Sequence, residues 1–109
     1  MDESQFKTLR ELAKDGTLSQ RDLSRRMGLS LGRVNYVVNA LLEKGYIKAE
    51  RFKNAKNKVG YMYILTPSGA AEKFHQTQEF LARKSVEFEA LKHEIETLKR
   101  EELGVKGKE

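Results

Sequence analysis

The side chains best equipped for chemistry in this chain are cations and amides rather than nucleophiles. Arg33, Asn35, Tyr36 and Asn39 stand close together, with Ser30 and Gly32 just ahead of them. Arg pairs with the edge of guanine and Asn with that of adenine, and Arg, Asn, Tyr and Ser all hold phosphates. A second group, "RFKNAKNK" at 51–58, supplies Arg51, Lys53, Asn54, Lys56, Asn57 and Lys58 without one acid. Ser19 and Arg21, at the head of "SQRDLSRRMG", make a third. A helix that starts there would point its free backbone N–H groups at an anion. Such side chains suit recognition of a polyanion.

Other kinds of chemistry find little support. The chain has no Cys, which removes disulfides, thiolate metal sites and cysteine nucleophiles. His75 and His93 are 18 residues apart on what reads as one helix, about 27 Å along its axis, too far to share a metal or a proton within one chain. No phosphate loop or nucleophile motif appears, so neither catalysis nor a metal or other cofactor is expected. No run approaches the roughly 20 apolar residues of a membrane span. The first twenty residues lack a secretory pattern, and a soluble cytoplasmic protein is the expectation.

Charge is unevenly spread. The 109 residues carry a net +5. Residues 19–58 hold ten basic groups against three acidic ones, while 1–18 and 66–109 each come to −1. The positive excess therefore sits where the candidate contacts sit. A field of that kind favours nucleic acid.

These side chains need elements to hold them. Phe6, Leu9 and Leu12 mark one face of a first helix ending at Asp15-Gly16, where Gly is expected as a left-handed cap. Ser19 and Asp22 form a variant capping box for a second helix whose buried side is Leu23 and Met27, stopped by Gly28. Ser30 caps a third helix with Val34, Val37, Val38, Leu41 and Leu42 on its apolar face, and Gly45 ends it. "YIKAERF" and "GYMYILT" then read as two antiparallel strands joined by the basic loop. Tyr61, Tyr63 and Leu65 share one strand face and Met62 and Ile64 the other, so both faces are expected to be covered, with Tyr61 and Tyr63 in the core. Thr66 and Pro67 start a last helix running to about Glu102.

The order predicts a mainly α fold: a winged helix-turn-helix with a two-stranded wing and a long C-terminal dimerisation helix. Residues 1–66 make the DNA-binding domain, 67–102 the long helix and 103–109 a flexible tail. The basic loop becomes the wing tip, beside the third, recognition helix. Phe74, Leu81, Phe88 and Ile95 recur every seven residues, and Leu91 and Leu98 follow three after the last two. These are a and d positions of a coiled coil, although Thr77 and Lys84 occupy d in the first half. At about 50 Å the helix outreaches a small domain, and a homodimer is expected.

Residues 18–73, "LSQRDLSRRMGLSLGRVNYVVNALLEKGYIKAERFKNAKNKVGYMYILTPSGAAEK", resemble the DNA-binding half of MarR-type transcriptional regulators. "LLEKGYI" and "LTPSG" carry much of the likeness, and the short branch associated with exopolysaccharide (EPS) genes is the most similar. The resemblance implies a double-stranded DNA partner and control of exopolysaccharide or related surface-polysaccharide genes. MarR-type wings commonly carry Asp-x-Arg, where this chain has Asn57, Lys58 and Val59. The family's minor-groove Arg is missing, and Lys56 and Lys58 stand in for it. With little chain ahead of the first helix, the family's two-ended dimerisation domain and ligand pocket are not expected, and no small-molecule effector can be named.

Each group has a plainer explanation. The polar face of the third helix would be merely solvated if it stood alone, Ser19 is a cap before it is a contact, and Arg25 and Arg26 serve solubility. A winged helix used as a protein–protein adaptor, with the long helix as its arm, is the rival from another class. That role calls for apolar or acidic residues where Arg33, Lys53, Lys56 and Lys58 stand.

Overall fold

The computed structural model describes residues 1–53 and 59–104. The elements are α1 (Glu3–Lys14), α2 (Gln20–Met27), α3 (Leu31–Glu43), β1 (Ile47–Lys53), β2 (Val59–Leu65) and α4 (Pro67–Glu102). This is the winged helix-turn-helix order with a long last helix. The chain divides into two compact units, Met1–Gln76 and the remainder from Thr77.

In the first unit, apolar residues at helical spacing meet in one core. Leu9 and Leu12 of α1, Leu23 of α2, and Val34, Val37, Val38 and Leu41 of α3 pack with Leu18, Ile47 and Tyr63. Thr8 is also buried. Its hydroxyl donates to the Ser4 carbonyl at 2.8 Å, so no polar group is orphaned there.

The turns follow the chemistry of their residues, with one exception. Gly28 and Gly45 have φ of +66° and +78°, the left-handed region where only Gly is unstrained. Gly16 is not left-handed: α1 ends at Asp15 in an extended conformation, with its N–H on the Glu11 carbonyl. The chain leaves α1 extended because it goes directly into a pairing with β2. Leu18 N–H donates to the Tyr63 carbonyl at 3.3 Å, and Tyr63 N–H donates to the Leu18 carbonyl at 2.9 Å. A one-residue bridge thus covers the edge of β2 that β1 leaves open.

β1 and β2 pair antiparallel, from Ile47↔Leu65 through Arg51↔Tyr61 to Lys53↔Val59. Directly opposed residues share a face, so Ile47, Leu65, Tyr63, Arg51 and Tyr61 lie on one side. Its inner end is core, with Ile47 and Tyr63 buried, but Tyr61 is 53% exposed. Tyr61 is therefore not a core residue. The body of the domain covers only the inner part of the hairpin. On the other side Gly60 faces Phe52, whose ring would come within 2.9 Å of any Cβ there.

Thr66 links α4 to the end of α3. Its hydroxyl donates to the Gly45 carbonyl at 2.7 Å and accepts the Gly69 N–H at 3.0 Å. A Cβ on Gly69 would lie 1.9 Å from the Tyr46 carbonyl oxygen, so the close approach of α4 to that turn requires glycine. At the far end, Leu103 N–H bonds to the Lys99 carbonyl and Gly104 N–H to that of Glu101. The tail expected at 103–109 thus begins with two residues that close the helix, and 105–109 lie outside the described residues.

Candidate nucleic-acid interface

The apolar and polar residues of α3 separate cleanly in the folded unit. Val34, Val37, Val38 and Leu41 are buried, while Gly32, Arg33, Asn35, Tyr36 and Asn39 are all exposed. Tyr36, at 65% exposure, is an uncovered aromatic on an otherwise hydrophilic face. Ser30 caps the helix by accepting the Arg33 N–H at 3.1 Å. The remaining N–H groups of the first turn have no partner within the helix. They face the same end as Gly32 and Arg33.

Contacts along this face order it without burying it. The Arg33 guanidinium lies over the Tyr36 ring, 5.7 Å from its centroid. Asn39 donates its amide to Asn35 Oδ1 at 3.1 Å. The Asn35 amide nitrogen remains available as a donor. A Cβ at Gly32 would meet nothing within 4 Å. Packing on the preceding helix therefore does not account for this glycine.

α2 presents its N-terminus through a reciprocal capping box. Ser19 Oγ accepts the Asp22 N–H at 3.1 Å, and Asp22 accepts the Ser19 N–H at 2.9 Å. That backbone hydrogen bond holds the Asp22 carboxyl below its ordinary value against the opposing effect of partial burial, with Arg25 and Arg26 assisting. Ser19 is only partly exposed and works as a cap, whereas Arg21 is exposed. Gln20 donates to the Tyr63 hydroxyl at 3.0 Å, fixing the start of α2 to β2. Arg25 pairs with Asp22 at 2.6 Å. Arg26 pairs with Asp15 and also with Glu11 at 3.5 Å, so it joins α2 to α1.

On the hairpin, Arg51 and Lys53 are exposed on β1. Asn54, Lys56, Asn57 and Lys58 lie outside the described residues. Tyr61, expected in the core, stands opposite Arg51 and is exposed. Alternation with Met62 and Ile64 pointed to the core, and the missing signal was how far the hairpin extends past it. On α4, Phe74, Leu81, Phe88, Leu91, Ile95 and Leu98 are between 43% and 64% exposed. Among the described residues no group of three or more His, Cys, Asp or Glu could hold a metal. No described helix is long and apolar enough to cross a membrane.

Residues 1–48 match the model of a family described as winged helix-turn-helix DNA-binding. The multiple antibiotic resistance protein MarR of Salmonella typhimurium is 36% identical over 75 residues, which are 67% of this chain and 51% of that protein. The chain thus spans about half the length of the curated relatives it matches. A mutant MarR from E. coli superposes with a TM-score of 0.68 at 26% identity, covering 96% of this chain and 77% of that one. A mutant E. coli MarR complexed with operator DNA superposes with a TM-score of 0.61 at 24% identity, covering 90% and 75%. In fold this chain is a winged helix similar to those of the MarR structures, and its first 48 residues match a winged helix-turn-helix DNA-binding model.

Proposed function

We propose that the protein is a transcriptional regulator that binds double-stranded DNA sequence-specifically, as a homodimer joined through its C-terminal helix. The observation that carries this reading is the exposed face of α3, where Arg33, Asn35, Tyr36 and Asn39 stand on a helix whose other side is sealed in the core. α3 enters the major groove, and its side chains read base edges. The N-terminus of α2, with Arg21, and the wing, with Arg51, Lys53 and residues 54–58, hold the phosphate backbone. Residues 1–66 serve as the reading head, 67–102 as the dimerisation helix, and the cell compartment is the cytoplasm. The resemblance to the EPS-associated branch supports exopolysaccharide or related surface-polysaccharide genes as the targets.

A salt titration of binding to arbitrary duplex DNA tests the class of partner. Affinity at low salt that falls linearly on a log–log plot is expected from released counterions. No affinity even at low salt would leave the protein–protein adaptor as the better reading.

A further inference from the structure

We infer that residues 88–98 of α4 form a parallel, in-register seam with the same residues of a second copy of this chain. This deepens the homodimer part of the proposed function by fixing its orientation, and it does not depend on DNA binding.

Phe88, Leu91, Ile95 and Leu98 are spaced by three, four and three residues, and each is exposed. With Phe88 and Ile95 at a and Leu91 and Leu98 at d, the g positions are Glu87 and Glu94 and the e positions Lys92 and Lys99. In a parallel pair each g meets the e five residues later on the other chain. Glu87 then meets the partner's Lys92, and Glu94 meets the partner's Lys99. An antiparallel pair sets g against g and e against e, which places Glu beside Glu and Lys beside Lys. Glu87 already pairs with Lys84 of its own helix at 3.1 Å, but both ends of that contact are exposed and it is worth little. A second copy, parallel, is the partner this charge pattern fits.

Phe88, Leu91, Lys92 and Ile95, with Glu96 and Lys99, line a groove of about 250 Å³. The a, d, e and next a residues of one helix form the hole that receives a d-position knob from a parallel partner. Here that knob is Leu91 of the second copy. The charges select the orientation, while the apolar side chains supply the affinity.

Single cysteines in the full-length chain test this, because it has no other Cys. Leu91→Cys, Leu98→Cys and, as an outward-facing control, Val86→Cys are made separately, their helix content is checked, and each is exposed to mild oxidant without DNA. A disulfide needs Cα atoms within about 7 Å. A parallel seam brings both Leu91 and Leu98 near their own copies. An antiparallel one can do so for only one of them, since seven residues of helix separate them by about 10 Å. The expected result is a dimer by sedimentation, ready cross-linking at 91 and at 98, and none at 86. Cross-linking at only one seam position, at neither, or equally at 86 in an intact dimer overturns the parallel seam and leaves the homodimer reading standing. A monomer at high concentration overturns both.

Discussion

Arg33 and Gly32 are neighbours on α3 and make opposite kinds of prediction. Replacing Arg33 by Ala should cost roughly 1–3 kcal/mol at the specific site and relax preference at one base position. Replacing Lys53 by Ala should weaken binding to every sequence and reduce the salt slope by about one. Competition binding with base-substituted sites at several salt concentrations separates the two, and an equal, uniform loss from both would remove the division between reading and holding. Gly32→Ala should leave the fold intact and stabilise it by up to about 1 kcal/mol, because Ala favours helix and a Cβ there meets no atom of the chain. On the proposed docking it should nonetheless weaken DNA binding, since the added methyl would stand between the helix N-terminus and the duplex. Unchanged affinity in the stabilised variant would deprive Gly32 of that role. Tyr61, exposed beside Arg51, shows where residue-level inference stopped. Its type and alternation match those of buried Tyr63, and only its position along the hairpin makes it different.

At the scale of the elements, the capping box of α2 couples stability to acidity. The Ser19 backbone N–H holds the Asp22 carboxyl below its ordinary value. A carboxyl depressed in the folded state stabilises above its unfolded pKa, and the contribution is lost as pH falls through the folded value. Urea unfolding should find wild type more stable than Asp22→Ala by about 1 kcal/mol near neutrality, with the gap narrowing as pH drops below the ordinary aspartate value of about 3.9. A constant gap across that range would mean that the ionised carboxylate contributes nothing. Gly69→Ala should destabilise the protein by about 1–3 kcal/mol or more, because its Cβ would overlap the Tyr46 carbonyl; an unchanged unfolding midpoint would contradict that close approach. Most elements were legible in the sequence because their ends carry side-chain chemistry: Ser19 and Asp22, Gly28, Ser30, Gly45, then Thr66 and Pro67. The Leu18–Tyr63 bridge was not. It is one residue long and leaves no periodic trace. Gly16 misled for a related reason, since a glycine after a helix signals a left-handed cap only where the chain turns there.

For the molecule as a whole, the basic excess in residues 19–58, the exposed face of α3 and the apolar stripe of α4 point to two heads on one duplex. On the proposed function, two identical chains related by a twofold axis would read two half-sites of inverted sequence, about one helical turn apart. Fold and charge distribution could be read from the residues, since both depend on composition and spacing along the chain. The operator could not, because base preference depends on where each side chain of α3 settles in the groove. Selection of bound sequences from a pool of random duplex DNA, followed by sequencing, tests the central claim most directly. The account predicts enrichment of one inverted-repeat site, lost from that position when Arg33→Ala is used. A pool that emerges as random as it entered would contradict sequence-specific DNA binding by this protein.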